Sequence, residues 1–294
     1  MPENFGDQAA GLRRLFGQQS THVIAFVAGQ TGVGNSLIVA NLAAALARQG
    51  KEVLILDEHR RDGVASCFGA LSRNDLYQVI NGDKTISDVL LTVAPNIRIL
   101  PVQKAIKKLT DLSADQQETF VERIAALDRV SDFVLVDASM DHPLGISPLG
   151  LAAHETVVVM SARSDAIKEA YALIKKISLC YARKNFRILV NKARGADEAD
   201  AIYNNISHVS RSRGVASLQY AGFVPHDEHV RQASRLSQPV VGLFPECHAA
   251  RAYRTIGGDI LNWSAQGNAM GGVEQFAHLL LHLSRNIEPV AIYA

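Results

Sequence analysis

The sequence predicts an α/β fold: a mostly parallel β-sheet flanked by helices on both faces. Three observations predict it. Short apolar runs rich in β-branched residues alternate with longer segments of helical period, the pattern of parallel strands joined by crossover helices. One such unit, His22 to Gly50, carries a glycine-rich loop at its joint. Gly32, Asp57, Asp137, Asn191 and Pro225 all fall at or just past the carboxyl ends of predicted strands, where sheets of this kind bind ligands. The chain has 294 residues, 48 % hydrophobic and 20 % charged. That supports a sizeable core, as one large domain or one domain with appendages.

Composition narrows the partners. The formal net charge is +1, so nucleic acid is not an expected partner. Cys67, Cys180 and Cys247 are scattered, with no C-x-x-C, which suits a reducing compartment and gives no metal or disulfide framework. The opening MPENFGDQ has no basic-then-apolar signal pattern. No run approaches the ~18 apolar residues of a membrane span. The expectation is a cytoplasmic soluble protein.

In order along the chain, residues 1–21 are a polar leader holding one amphipathic segment, Gly6 to Phe16. Ala9, Leu12, Leu15 and Phe16 share a helical face, with Asp7 as N-cap. The segment is either a helix packed on the domain's own surface or a detachable helix for a partner's groove. His22 to Ala28 is apolar, as a buried parallel strand requires. Leu37 to Ala47 is apolar almost all round and predicts a deeply buried helix, stopped by Gly50. Between them, Gly29-Gln30-Thr31-Gly32-Val33-Gly34-Asn35-Ser36 opens that helix. Such a loop aims backbone N–H groups and the helix dipole at one spot, an anion site whose usual occupant is phosphate. Against the pattern G-x-x-x-x-G-K-[ST], Gly29, Gly34 and Ser36 fit, and the lysine position holds Asn35. No Lys or Arg occurs from Ala28 to Ala47, so the backbone cradle survives without its main charge. The alternative is a glycine-rich turn with no ligand.

Val53 to Leu56 is the second strand, ending in Asp57. Carboxylates at strand ends in this layout meet metal or attacking water. Glu58, His59, Arg60 and Arg61 follow. Arg60 or Arg61 replaces the missing loop charge on one reading; on the other the cluster is a solvated charged loop. Asn74 to Asn81 and Ile86 to Leu91 are short helices, and Asn96 to Leu100 is the third strand. Ala114 to Leu127 is a helix with Phe120, Val121, Ile124 and Leu127 at helical spacing. It leads to Phe133-Val134-Leu135-Val136-Asp137, a buried strand that places a carboxylate beside the loop's Ser36 and Mg²⁺, the Walker B arrangement. Strands at Glu155–Ser161, Phe186–Val190 and Leu218–Val224 alternate with helices at Asp165–Arg183, Ala196–Arg213 and Asp227–Leu236. The tail holds the segment Arg251–Trp263, a polar Gly-rich break at Ala265–Gly272, and a last segment at Val273–Arg285 that reads as a helix. Phe276, Leu279, Leu280 and Leu283 give the last helix an apolar face. Membrane surface, its own domain and a dimer interface are the three places for that face.

These residues resemble the MinD/ParA-type P-loop ATPases and, within them, the FlhG branch. Three features carry the resemblance. The family's deviant Walker A, K-G-G-x-G-K-[ST], aligns with Gln30-Thr31-Gly32-Val33-Gly34-Asn35-Ser36. Asn191 after an apolar strand and Pro225-x-Asp227 before a helix match the family's adenine-side positions, continued by Val230-Arg231-Gln232-Ala233 and Ser237-Gln238-Pro239-Val240. The leader's Asp7-Gln8-Ala9-Ala10-Gly11-Leu12-Arg13 looks like the D-Q-A-x-x-L-R element found only in the FlhG branch.

The resemblance implies ATP or ADP on Gly29, Thr31, Gly32, Val33, Gly34, Asn35, Ser36, Leu37, Asn191, Pro225 and Asp227. It implies Mg²⁺ at Ser36 and Asp137, and Asp57 and Asp137 as the catalytic carboxylates. It implies that Asp7, Gln8, Ala9, Leu12 and Arg13 engage a signal-recognition-type, FlhF-like GTPase, with Gln8 as the key residue. A flagellar transcription activator, a homodimer bridged across ATP and peripheral membrane contact are further family partners. The domains read as a partner-binding segment at 1–21, a MinD-like P-loop domain at 22–264, and a helix and tail at 265–294.

The departures fall on one function. The lysine that crosses the ATP dimer is Gln30, the lysine in cis is Asn35, and the family's D-x-D reads Asp57-Glu58-His59. Each lost charge-assisted contact costs about 1.5–3 kcal/mol, so triphosphate binding weakens ~100-fold or more and hydrolysis suffers further. The leading expectation is a regulator of flagellar number and placement with weak or absent ATP hydrolysis. The rival is an active ATPase switch that positions cargo at the membrane.

Overall fold

A computed structural model describes residues 21–59, 63–127, 131–140, 146–266 and 272–286. The leader residues Asp7, Gln8, Ala9, Leu12 and Arg13, together with Arg60 and Arg61, lie outside the described residues.

The strands are β1 (His22–Ala28), β2 (Val53–Asp57), β3 (Leu91–Ala94), β4 (Ile97–Pro101), β5 (Phe133–Asp137), β6 (Glu155–Ser161), β7 (Asn185–Ala193) and β8 (Ser217–Pro225). They form one eight-stranded sheet in the order β3-β4-β2-β5-β1-β6-β7-β8. Every neighbouring pair is parallel except β3 with β4. The mostly parallel sheet with helices on both faces is the predicted fold class. Alternation along β1 shows why its run is apolar throughout. Val23, Ala25 and Val27 enter one core, and Ile24, Phe26 and Ala28 enter the other.

The principal helices are α1 (Asn35–Ala47), α2 (Ala114–Ala125), α3 (Ser164–Tyr181), α4 (Ala196–Ser212), α5 (Glu228–Arg235), α6 (His248–Gln266) and α7 (Val273–Asn286). Helix α1 is packed between the sheet and α6, and Ile38 to Leu46 are all buried. That position explains a helix with no polar face. Its one buried polar side chain, Asn41, is satisfied: Nδ2 donates to Leu37 O at 2.8 Å and Oδ1 accepts Val241 N–H at 3.3 Å. On the opposite face, Val273, Phe276, Ala277 and Leu280 of α7 are buried against α2 and the short helix Pro148–Ala152. The domain itself covers most of that apolar face, and Leu279 is left 40 % exposed. Among the described residues no helix is long and apolar enough to cross a membrane.

Boundaries differ from the sequence reading at several elements, three of them instructive. Helix α1 begins at Asn35 rather than Leu37, because Gly34 adopts a left-handed conformation (φ 95°) as its N-cap. The predicted helix Ile86–Leu91 stops at Val89, and β3 begins at Leu91. Pro95-Asn96 then turns the chain into β4, with Asn96 at φ 61°, a conformation Asn tolerates. The edge strand was hidden because Leu90 and Leu91 extend the helix's own apolar pattern. The tail segment Arg251–Trp263 lies within a longer helix, α6, from His248 to Gln266.

Candidate functional site

Register brings the site together. Asp57 at the end of β2 lies opposite Asp137 at the end of β5, and Asp137 is level with Phe26 of β1. The glycine loop leaves β1 just beyond that line and enters α1. Two of its glycines are required by geometry. At Gly34 the φ of +95° is a region that side chains avoid, and a Cβ would sit 2.8 Å from Asn191 Nδ2. At Gly29 a Cβ would meet the α3 backbone, 2.5 Å from Glu169 C. The N-terminus of α1 has no side-chain cap and no acidic residue in its first turn. Its leading N–H groups are therefore left for an outside acceptor.

The side chains in the loop are spent inward. Asn35 Nδ2 donates to Phe26 O at 3.1 Å and to Asp137 Oδ1 at 2.6 Å, so both of its hydrogens are used. Its Oδ1 is buried without a partner. Ser36 Oγ donates to Asp137 Oδ2 at 2.6 Å. Gln30 Nε2 donates to Asp165 Oδ2 at 3.2 Å, and Arg163 holds the same carboxylate at 2.9 Å. Asn191 braces the loop, with Nδ2 donating to Val33 O at 2.7 Å. Val33 is buried; Thr31 and Gly32 are exposed at the loop's tip, and Leu37 is half-buried in the first turn of α1.

Behind the loop stands a charged cluster. His59 Nδ1 lies 3.1 Å from Asp137 Oδ2 and 3.5 Å from Asp57 Oδ1. Asp57 Oδ1 also accepts the His59 amide at 2.9 Å, and its Oδ2 accepts the Ala65 amide at 3.3 Å. Burial by itself lowers the imidazole's affinity for a proton, but the Asp137 and Asp57 carboxylates outweigh it and push His59 up to about 10. Burial raises Asp57 and repulsion from Asp137 adds to it, against the opposing hydrogen bonds from His59. The solvated-loop reading fails for Glu58, which is 2 % exposed. Its Oε2 accepts the Ser139 amide at 2.6 Å. Burial pushes Glu58 up to about 7, although the Ser139 amide pulls the other way.

That shift has a sign. The folded protein holds the Glu58 proton more tightly than the unfolded chain does. The resulting stability is complete below the ordinary carboxylate value and is lost as pH rises through about 7. Glu58→Gln keeps an acceptor for Ser139 and cannot ionise. Between pH 5 and 8 the variant is expected to be spared about 2–3 kcal/mol of the parent's loss, the share that belongs to Glu58, while His22 and His59 titrate alike in both proteins. Parallel urea melts across that range check it.

The positions that the resemblance puts on the adenine side, Pro225 and Asp227, lie further along the same edge. Pro225 ends β8. Asp227 is a double helix cap, with Oδ1 accepting His229 N–H at 3.0 Å at the start of α5 and Oδ2 accepting Ala249 N–H at 3.1 Å at the start of α6. Burial works against its charge, but these amides hold its carboxyl well below the usual range. The sequence reading passed over Lys192. Its Nζ donates to Gly32 O at 2.9 Å, so a cation from the end of β7 does reach the loop. The only signal for it was its place beside Asn191, and its left-handed φ of 58° is not readable from a lysine in a sequence.

A Walker-type loop, a strand-end carboxylate bonded to the loop's serine and a parallel sheet with β1 at its centre define a P-loop protein of the MinD/ParA kind. A family model described as AAA domain matches residues 21–190, and the chain belongs to that family. It is 28 % identical over 273 residues to Antiactivator FleN of Pseudomonas aeruginosa, covering 92 % of this chain and 97 % of FleN. It is 25 % identical to the Flagellum site-determining protein YlxH of Helicobacter pylori, covering 74 % of each chain. Among solved structures it resembles MinD of Pyrococcus horikoshii complexed with Mg-ADP, with a TM-score of 0.61 and 19 % identity over 84 % of this chain and all of that one.

The loop suits a nucleotide phosphate, because an uncapped helix N-terminus and positive-φ glycines face it. The metal position does not suit Mg²⁺. Asp137 Oδ1 accepts from Asn35, and its Oδ2 accepts from Ser36 and faces the His59 imidazole.

Proposed function

We propose that this chain is a flagellar regulator that acts through protein partners, on a nucleotide-binding fold with weak or absent hydrolysis. Similarity to FleN over nearly the whole of both chains supports the flagellar assignment, and the YlxH match points the same way. The geometry that carries the hydrolytic half is the fate of the two lysine positions. Gln30 is tied to Asp165 and Asn35 to Asp137, so neither side chain brings charge to a phosphate. Phosphoryl transfer depends mainly on positioning and charge stabilisation.

On this reading the leader is the effector. Gln8 orders the active site of a partner GTPase of the signal-recognition type, and Leu12 anchors the helix. A flagellar transcription activator is a second partner, in keeping with the antiactivator relative. ADP or ATP sits on the loop backbone and sets the shape of the scaffold rather than being consumed.

A second reading has one observation in its favour. Lys192 Nζ is already at the loop, and a cation moved from Gly32 O to a phosphate restores part of the lost charge. Two measurements decide. Purified protein with Mg²⁺ and ATP is expected to release no phosphate above a no-enzyme blank; turnover abolished by Asp57→Ala favours the ATPase switch. Gln8→Ala is expected to abolish stimulation of a co-purified FlhF-like GTPase while leaving the melting temperature unchanged. An unaltered GTPase rate removes the role given to Gln8.

A further inference from the structure

We propose that His59 is the resident counter-charge of the Asp57–Asp137 pair, and that the site takes a nucleoside diphosphate without a divalent cation. The second half rests on the nucleotide reading above; the first stands on geometry alone.

Asp57 and Asp137 are buried, adjacent and on neighbouring strands. Two buried carboxylates side by side are stabilised by a shared proton or by a cation. The chain supplies one, since a ring nitrogen of His59 reaches one oxygen of each. The other two oxygens, Asp137 Oδ1 and Asp57 Oδ2, accept from Asn35 and from the Ala65 amide, while Ser36 and the His59 amide share the oxygens that the ring faces. Mg²⁺ needs a near-octahedral set of oxygens and is reluctant to shed water. Here it meets hydrogen-bonded oxygens and a like charge. Asn35 Oδ1 is the unpaired acceptor of the loop, and one neutral amide oxygen does not make a magnesium site. A ring nitrogen within 3.5 Å of both carboxylates favours the protonated imidazole. The His59 side chain is 30 % exposed while the two carboxylates are buried, so solvent reaches the ring and not the pair.

The three departures from the family pattern are then one change. Lysines that draw a triphosphate are absent, and the cation that would travel with it is replaced by a side chain. A diphosphate on the loop amides asks for neither.

The test uses the full-length protein, with Mn²⁺ standing in for Mg²⁺. Paramagnetic-resonance titration of nucleotide-free protein is expected to show no tight Mn²⁺ site in the parent. His59→Ala and His59→Asn are expected to bind Mn²⁺ at least about ten-fold more tightly, because the like charge is gone. His59→Asn keeps a neutral donor toward Asp137 and so guards against a variant that fails to fold. In a second arm, fluorescent ADP is titrated in excess EDTA and in millimolar MgCl₂. Parent affinity is expected to agree within about three-fold, and the variants to gain about ten-fold from Mg²⁺. Parent Mn²⁺ binding as tight as the variants', or a ten-fold loss of parent ADP affinity in EDTA, overturns the proposal. No ADP binding in any arm overturns the nucleotide reading and the second half of the proposal, and the Mn²⁺ arm still decides the role of His59.

Discussion

Asp137→Ala is expected to destabilise the protein by about 3–5 kcal/mol and to lower its melting temperature by roughly 10 °C. Asp137 is fully buried and is the hub of the site. It accepts from Asn35 and Ser36 and faces the His59 imidazole. Removing it strands two donors and leaves His59 with only Asp57, whose contact is the longer at 3.5 Å. The cost of breaking a buried ion pair from one side is large because the remaining charge is uncompensated. Asp137→Asn separates charge from volume, since it fills the space and keeps an acceptor. It is expected to lose roughly half as much, read by urea melts and calorimetry on the same preparations. Equal stability of parent and Asp137→Ala means that the cluster adds no net stability to the fold.

Gln30→Lys combined with Asn35→Lys is expected to raise ATP affinity by at least about 100-fold, from two charge-assisted phosphate contacts of about 1.5–3 kcal/mol each. The single variants are expected to give about ten-fold each. Both lysines have somewhere to rest without ligand, Lys at 30 beside Asp165 and Lys at 35 beside Asp137, the partners the parent residues already use. Those resting pairs hold the gain near the lower bound. Adding His59→Asp rebuilds the D-x-D pattern and removes the counter-charge, and it is this triple variant that is expected to hydrolyse ATP. Calorimetric affinity for the double variant and phosphate release for the triple are the readouts. A double variant no better than the parent shows that the loop's lost charges are not what limits binding.

Much of the fold could be read in advance because the signals were local. β1 and β5 are continuous apolar runs, stopped by Gly29 and by Asp137, and a strand buried on both faces has no other pattern available. The glycine loop announced itself because only glycine suits the left-handed turn at Gly34 and the close pass of α3 over Gly29. Edge strand β3 was harder, since it has four partly exposed residues and follows a helix of similar composition. The placement of α7 was open for another reason. An amphipathic helix declares that it has an apolar face, and what covers that face is a long-range matter.

The sequence by itself determined the sheet, the loop, the strand-end carboxylates and the absence of both lysines, because each of these is a property of a few consecutive residues. It also showed that His59 stood where a second aspartate was expected. Only the tertiary structure decided what those residues do to one another. β2, β5 and β1 are far apart in the chain and level in the sheet, and that register turns a serine, an asparagine, two aspartates and a histidine into one hydrogen-bonded cluster. It drew Glu58 inward, brought Lys192 to Gly32 and covered most of the apolar face of α7 with the domain's own core. Pairing across strands is set by which buried faces and charges satisfy one another in three dimensions, and no window along the chain contains that sum.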